Sequence, residues 1–342
     1  MVMKKIKIED AVGMALGHDV TQIIPGKYKG ARFKRGHRIR KEDIPEFLKI
    51  GKEHIYVMDL KSGIIHEDEA ALRLGQAFAG RNIEMKGPSE GKVTFHSKID
   101  GVLQLNLPLL NRINLSRNII LSTIHRRTSC RPGMPIGATR IISLTAPEKQ
   151  IQTVEAWCKR EGPVLEILPY RNLNVGVVIT GNEIYRGRIK DRFDDRVGKK
   201  INVFGSRVVK KVVVPDDAHQ ISQALLKVQN DSVDLILITG GLSVDPDDVT
   251  REGIKKAGTK IVFYGTPVLP GAMFLYGVLR GKPLLGLPAC VFHHKATLFD
   301  LIFPRILAGQ ALSRKEIGLL GHGGFCQNCD PCHFPTCAFG KG

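Results

Sequence analysis

Three segments of the chain contain glycine, and two of them also contain hydroxyl residues, in a pattern that suits the binding of an anion. Each follows a predicted strand: Thr180-Gly181, then Thr239-Gly240-Gly241-Leu242-Ser243, then Gly286-Leu287-Pro288. Glycine lacks a Cβ and adopts positive φ, so neighbouring backbone N–H groups can converge on one oxygen. The hydroxyls add side-chain donors. Any one segment alone is better explained as a tight turn, but the three together predict a phosphate site.

Carboxylates accompany the first two of these segments. The candidates are Asp245, Asp247, Asp248, Glu183 and Asp191. Carboxylates beside a phosphate site are typical of Mg²⁺, which takes one or two of them together with water and substrate phosphates. Asp245 is the predicted metal ligand, because Pro246 separates it from the next helix. Asp248 is the predicted N-cap of a helix that begins near Val249.

The elements that would position these segments alternate between strand and helix after residue 172. The predicted strands span 175–180, 206–214, 235–239, 260–264 and 283–287, and the predicted helices span 191–204, 218–230, 248–257 and 292–308. This alternation predicts an α/β domain with a doubly wound, mostly parallel sheet, in which ligands bind at the carboxyl ends of the strands. The predicted domains are 1–172, 173–312 and a cysteine-rich tail, 313–342.

Residues 1–172 are predicted to form an α+β region. The predicted helices span 41–50, 67–79 and 148–160, and the predicted strands span 55–58, 93–95, 102–105, 119–125 and 141–144. The helix over 67–79 rests on the apolar residues Ala71, Leu74 and Phe78, which recur at helical spacing.

Composition restricts the class of protein. With 43% hydrophobic residues the chain can bury a core, which excludes a disordered protein, and 342 residues suit two or three domains. We see no export signal and no apolar run long enough to cross a bilayer, so we expect a cytoplasmic protein without a membrane partner.

The formal net charge of +18 favours anionic partners. The densest stretch, residues 26–41, holds eight Lys or Arg and no acid, and its Tyr28 and Phe33 are candidates for stacking on bases. No nucleic-acid-binding motif accompanies it. We therefore favour a solvated basic face over a polynucleotide site.

The tail contains Cys326, Cys329, Cys332 and Cys337 in the spacing C-x2-C-x2-C-x4-C. In a reducing compartment this spacing predicts metal ligation, since disulfides are disfavoured there. Four thiolates suit Zn²⁺, and the first three also suit a [4Fe–4S] cluster. The alternative is a disordered tail with free thiols.

Three motifs between residues 179 and 289 resemble those of the molybdopterin molybdotransferases and the related molybdopterin adenylyltransferases. They are Ile179-Thr-Gly-Asn-Glu183 with Gly187-Arg-Ile-Lys-Asp191, then Ile238-Thr-Gly-Gly-Leu-Ser-Val-Asp-Pro-Asp-Asp248, and Leu284-Leu-Gly-Leu-Pro-Ala289. A weaker similarity to the molybdotransferases covers residues 33–36 and 43–57. The resemblance implies binding of molybdopterin, a phosphorylated dithiolene pterin, in its free, adenylylated or molybdenum-loaded form. It also implies Mg²⁺, molybdate as a second substrate, and a homo-oligomer.

Carried onto this chain, the resemblance assigns residue roles. The cofactor-binding residues would be Thr180, Gly181, Thr239, Gly240, Gly241, Ser243, Asp248, Gly286 and Pro288, and the catalytic residues would be Asp245, Glu183 and Asp191. Two departures bear on catalysis: Leu269-Pro-Gly-Ala-Met273 lacks the lysine of the family pattern, and Ala289-Cys290 stands where Gly-Asn-Pro is usual. Two functions follow, namely insertion of molybdate into adenylylated molybdopterin, or a non-catalytic carrier or maturation factor that serves a molybdoenzyme.

Overall fold

The computed structural model describes residues 2–24, 26–59, 63–230, 232–246 and 248–342. The chain divides into two compact units. Unit 1 comprises Met1–Ile99, Leu103–Ile124 and Cys130–Ile167, and unit 2 comprises Asp100–Val102, His125–Ser129 and Leu168–Gly342. A boundary at residue 173 and a separate tail domain stay predictions. Within the described ranges, no helix is both long and apolar enough to cross a membrane.

The first thirteen strands lie mainly in unit 1. They are β1 (Val2–Lys7), β2 (Val20–Ile24), β3 (Tyr28–Phe33), β4 (His54–Asp59), β5 (Ile64–His66), β6 (Ile83–Ser89), β7 (Lys92–Ser97), β8 (Gly101–Leu105), β9 (Ile119–Thr123), β10 (Ser129–Cys130), β11 (Pro135–Ile141), β12 (Thr145–Pro147) and β13 (Leu165–Pro169). Their largest sheet is antiparallel, in the order β6-β7-β11-β9. The strand predicted at 141–144 is wrong, because the extended segment ends at Ile141.

Four helices pack in unit 1, and short 3-10 turns span Ile8–Ala11 and Lys41–Asp43. The helices are α1 (Ile44–Lys49), α2 (Glu67–Phe78), α3 (Leu107–Leu115) and α4 (Glu148–Glu161). Helices α2 and α3 pack on the largest sheet, and α4 packs on α2 and α3. Leu74, Ile113 and Ile151 are fully buried in the resulting core. Helix α3 was not predicted, although its N-cap Asn106 and Pro108 in its first turn are typical of a helix start.

Unit 2 is built around one six-stranded sheet in the order β15-β14-β16-β19-β18-β17. Its strands are β14 (Asn174–Thr180), β15 (Arg207–Val214), β16 (Leu235–Thr239), β17 (Lys260–Tyr264), β18 (Leu275–Leu279) and β19 (Lys282–Leu287). The first four in the spatial order are parallel, whereas β18 runs antiparallel to both of its neighbours. The five-strand prediction is therefore wrong by one strand, β18.

Helices cover both faces of this sheet. They are α5 (Asn182–Tyr185), α6 (Lys199–Val203), α7 (Ala218–Val228), α8 (Thr250–Lys256), α9 (Leu298–Leu307) and α10 (Arg314–Gly318). A π-helical segment spans Asp194–Gly198, and 3-10 turns span Ala289–Phe292 and Leu319–Gly321. Helices α6 and α9 bury apolar residues against one face, and α7 and α8 against the other. This arrangement confirms the predicted fold class, a doubly wound α/β domain with an α+β amino-terminal region.

Candidate functional site

The three predicted loop segments meet at one edge of the sheet. Strands β14, β16 and β19 are adjacent and parallel, and their last residues are in register, with Ile179 opposite Thr239 and Thr239 opposite Leu287. From β14 the chain passes to β15 on one side and then crosses to β16 on the other. The strand order therefore reverses between β14 and β16, and a crevice outside the carboxyl ends is the usual ligand position at such a point.

Buried hydroxyls connect the segments that follow β14 and β16. The side chains of Thr180 and Thr239 are 2% and 1% exposed. The Thr180 Oγ1 atom lies 3.0 Å from Oγ1 of Thr250, a fully buried residue in the first turn of α8. The two hydroxyls therefore satisfy each other, and this bond holds the start of α8 against the end of β14.

The two glycines after β16 are required by close packing inside the protein. A Cβ on Gly240 would lie 2.2 Å from the backbone oxygen of Thr180, and one on Gly241 would lie 2.5 Å from Oγ1 of Thr250. Both glycines also have positive φ, +94° and +56°. The Cβ space that the sequence analysis attributed to a ligand is thus taken by the chain, and a bound anion would contact the outer side of this turn.

Tyr264, which was not among the predicted site residues, supports the glycine turn from β17. Its hydroxyl donates to the backbone oxygen of Leu242 at 2.7 Å, and the guanidinium of Arg251 lies 4.5 Å from the centre of its ring. A cation over an aromatic face is attracted by the ring quadrupole. The sequence does place Tyr264 at the carboxyl end of a predicted strand. That strand, β17, lies four positions from β14 in the sheet, so the sequence alone does not connect Tyr264 with the site.

The Ser243 hydroxyl and the carboxylates of the second segment are more accessible than Thr180 and Thr239. Ser243 and Asp245 are exposed and Asp248 is half-buried. Asp248 accepts a hydrogen bond from the backbone N–H of Asp245 at 3.1 Å. Helix α8 begins after Val249 with no side-chain cap, so the prediction that Asp248 caps it is wrong: its carboxylate closes the preceding turn instead. Asp247, another of the candidate carboxylates, lies outside the described residues.

The two acids near the first segment differ in their surroundings. Glu183 is exposed in α5. Asp191 accepts from the backbone N–H of Phe193 at 2.8 Å, and its second oxygen lies 3.1 Å from the Lys211 ammonium. Burial lowers the pKa of Lys211, but bonds to Asp194 and Asp191 outweigh that effect and leave it above its ordinary value. Asp191 is therefore already held in an ion pair.

In the third segment, close packing between strands requires the glycine at position 286. Gly286 is buried, and a Cβ there would lie 2.9 Å from the Cβ of Leu275 in β18. Pro288 and Cys290 are half-buried. Burial raises the pKa of the Cys290 thiol, so this cysteine is a weaker nucleophile at neutral pH than an exposed one.

The tail is folded onto unit 2. Phe325 pairs with Leu269 in a β-bridge, in which Cys326 N donates to Leu269 O at 2.8 Å. Phe339 is 4% exposed within the core, and Asn328 Oδ1 lies 3.0 Å from Nδ1 of His294. A disordered tail is therefore excluded.

The four tail cysteines are free thiols, of which Cys329 is exposed and the others are half-buried. Over the described ranges, no three His, Cys, Asp or Glu side chains converge as a metal site would require. The present arrangement does not fit a preformed four-thiolate centre. Ligation by Cys326, Cys329, Cys332 and Cys337 stays a prediction that needs a rearranged tail.

The basic stretch lies on a two-stranded hairpin of unit 1. Tyr28 is 47% exposed, but Phe33 is 7% exposed and stacks on Phe47 with ring centres 4.0 Å apart. Phe33 is therefore a core residue, and its predicted availability for base stacking is wrong.

Two family profiles match the chain. Residues 5–59 match a domain family of unknown function, DUF8806, and residues 176–308 match a family described as a probable molybdopterin binding domain. Over residues 176–308 the chain is therefore similar to that molybdopterin-binding domain family. The resemblance found in the motifs is thereby confirmed. The matched residues contain all three strand-end segments of the candidate site.

Individual relatives cover the same part of the chain. A molybdopterin molybdenumtransferase of Haemophilus influenzae is 29% identical over 161 residues, which are 44% of this chain and 39% of that protein. A CinA-like protein of Citrifermentans bemidjiense is 34% identical over 90 residues, 26% of this chain and 22% of that protein. The chain thus spans about two fifths, or less, of these curated relatives. A solved structure of the molybdopterin biosynthesis enzyme MoaB from Thermus thermophilus is 19% identical, with a TM-score of 0.33, and covers 40% of this chain and 98% of that one.

Proposed function

We propose that the molybdopterin-binding domain binds the phosphorylated pterin at the carboxyl ends of β14, β16 and β19 and inserts molybdate into its adenylylated form. The observation that carries this proposal is the meeting of three family motifs at the point where the strand order reverses. The reaction would take place in the cytoplasm. Molybdate as a substrate, a molybdoenzyme as a recipient and a homo-oligomer remain part of the proposal.

The buried and exposed parts of the site would have different tasks. The backbone N–H groups of Gly240 and Gly241 and the Ser243 hydroxyl would hold the phosphate from the outer side of the glycine turn. Thr180 and Thr239 are buried, so their hydroxyls would not contact the ligand and would support binding indirectly, by stabilising the conformation of the glycine turn. Gly181 and Pro288 would form the walls of the crevice, and the buried Gly286 would allow β19 to pack closely against β18 behind it.

The exposed carboxylates fit a divalent cation better than the buried residues do. Asp245 and Glu183 are accessible, and Mg²⁺ prefers one or two carboxylates with water in its remaining positions. When bound there, Mg²⁺ would neutralise charge on the phosphate oxygens. Asp191 is a weaker candidate, because Lys211 already pairs with it.

A non-catalytic carrier is the second candidate, and one contact favours it. The segment Leu269–Met273, which lacks the family's lysine, is bonded through Leu269 to Cys326 of the tail. A carrier would use the tail, with Zn²⁺ or a [4Fe–4S] cluster on its four cysteines after rearrangement, to dock on a molybdoenzyme. Carrier and transferase differ in turnover, since only a transferase consumes the adenylylated ligand.

The deciding experiment is an anaerobic titration of the full chain with molybdopterin and with adenylylated molybdopterin, followed by a turnover assay with molybdate and Mg²⁺. Ser243→Ala tests binding and Asp245→Asn tests turnover, since both residues are exposed and their replacement leaves the core intact. Gly241→Val is unsuitable, because the new side chain would collide with Thr250. Asp195→Asn, at an exposed carboxylate that pairs with Lys199, is the matched control.

The outcomes separate the candidates. Binding weakened by Ser243→Ala, with Mg²⁺-dependent release of the adenylyl group abolished by Asp245→Asn, supports a transferase. Binding without turnover supports the carrier. Failure of the wild-type chain to bind any form of the pterin would refute both.

A further inference from the structure

Unit 2 contains a basic cluster beside α9, and its most buried member, Arg305, lies in the last turn of that helix. Helix α9 begins after Thr297, beyond the loop that follows β19. Near its other end, Leu307 O accepts from the backbone N–H of Arg171, which precedes the start of β14. Arg305 therefore lies towards the amino ends of the strands, away from the glycine turn.

Two arginines of this cluster share one carboxylate oxygen. Arg305 Nη2 lies 3.0 Å from Oε1 of Glu316, and Nη2 of Arg127 donates to the same oxygen. Ser313 Oγ donates to the other oxygen of Glu316 at 3.0 Å. A single carboxylate thus compensates two guanidiniums that lie side by side, which leaves the pair with net positive charge.

Arg305 is the most buried charged residue of the cluster. Its side chain is 3% exposed, and its Nη1 atom has no hydrogen-bond partner among the residues that the structure describes. Burial lowers the pKa of Arg305 to about 10, and repulsion from Arg127 acts in the same direction. A buried guanidinium with an unpaired N–H group is costly unless an anion compensates it.

A small cleft opens beside these arginines. Its lining includes Arg126, Arg127, Ser129, Lys341 and aromatic residues of the tail. Its volume is about 30 Å³. A single water needs about 10–15 Å³ on this measure, so the cleft accepts a small ion and is too small for a pterin or a nucleotide.

The charges around the cleft favour an anion. Arg126, Arg127 and Lys341 line it, and Arg305 lies beside Arg127. Asp300 is the one carboxylate in the lining, and the ammonium of Lys200 lies 2.7 Å from it. The planar donor fork of arginine matches the oxygens of phosphate-like ions.

We propose that this cleft is a binding site for a small tetrahedral oxyanion, of the class of phosphate, sulfate and molybdate, held by Arg126, Arg127 and Lys341 beside Arg305. The bound ion would supply the negative charge that Glu316 alone does not. The proposal rests on these arginines and on Lys341, none of which is a predicted pterin-binding residue, so it does not depend on pterin binding.

The test is calorimetric titration of the full chain, without pterin and at low ionic strength, with inorganic phosphate, sulfate and molybdate in turn. We expect saturable binding that Arg126→Gln weakens at least tenfold. Arg131→Gln, at an exposed arginine outside the cleft, removes the same charge and should change affinity less than twofold. Displacement of phosphate by molybdate at equal concentration would identify molybdate as the preferred ion, and equal affinities would identify a general oxyanion site.

Two results would overturn the proposal. One is an absence of saturable binding of all three ions. The other is binding that Ser243→Ala abolishes and Arg126→Gln leaves unchanged, because the ion would then occupy the strand ends. Arg305 is not substituted in this test, since a change at a fully packed position could prevent folding.

Discussion

Thr180 and Thr239 are almost completely buried, whereas Asp245 and Glu183, only a few residues further along the chain, are exposed. The threonine half of the candidate site, formed by Thr180 and Thr239, is held in place by close packing and by the hydrogen bond from Thr180 to Thr250. The carboxylate half is free to meet a ligand. Substitutions in the first half should therefore change stability, and substitutions in the second half should change activity.

The largest expected effect is on stability and comes from Gly240→Ala. The new Cβ would collide with the backbone oxygen of Thr180 at a φ of +94°, so we expect a loss of about 3 kcal/mol or more in the free energy of unfolding. Gly258 has a φ of +82° and no atom within 4 Å of an added Cβ. Gly258→Ala should cost about 1 kcal/mol. Equal shifts of the two urea midpoints would show that close packing does not require glycine at position 240.

Asp245→Asn should separate activity from stability. We expect turnover of the adenylylated pterin to fall at least about 100-fold, since a metal ion contributes several kcal/mol of transition-state stabilisation. The free energy of unfolding should change by less than about 0.5 kcal/mol, as is usual at exposed positions. If Asp245→Asn lowers stability as strongly as turnover, the two halves of the site are not distinct.

Thr180→Val should cost about 2 kcal/mol, because it leaves the buried Thr250 hydroxyl without its partner. Thr180→Ser retains the bond and should cost less. The double variant Thr180→Val/Thr250→Val should cost less than the sum of the two single variants, since it removes both hydroxyls together. If thermal unfolding shows that the cost of the double variant equals the sum of the two single costs, the hydrogen bond between these hydroxyls does not contribute to stability.

The smallest effect is expected at Asp248, which lies between the two halves. Asp248→Ala removes the acceptor of the Asp245 N–H group and should cost about 0.5–1 kcal/mol. Asp248→Asn keeps an acceptor oxygen and should cost only a few tenths. If Asp248→Ala leaves the stability unchanged but abolishes turnover, Asp248 contacts the ligand and belongs with Asp245 and Glu183.

Local sequence patterns predicted the parallel strands and the three strand-end segments correctly. The strands β14, β16 and β19 are short apolar runs ended by glycine or proline, so each carries its own signal. Strand β18 was missed because Arg280-Gly281 forms a two-residue turn with positive φ at both positions, and arginine is an unusual residue there.

The packing of the site could not be predicted, because its partners are distant in the sequence. The Thr180 hydroxyl meets Thr250, seventy residues later, and Tyr264 supports Leu242 from another strand. The cysteine spacing shows a similar limit. It restricts which metals four thiolates could bind, but it does not determine where the backbone places them.

The anchoring of the tail has a consequence for any attempt to transplant it. A Cβ on Gly340 would lie 2.4 Å from Cδ2 of Leu301, and Phe339 fills the core beside α9. The outer surface of α9 is thus shaped to receive this segment. A chimera that joins residues 321–342 to another domain of this family would have to carry the matching face of α9 with it.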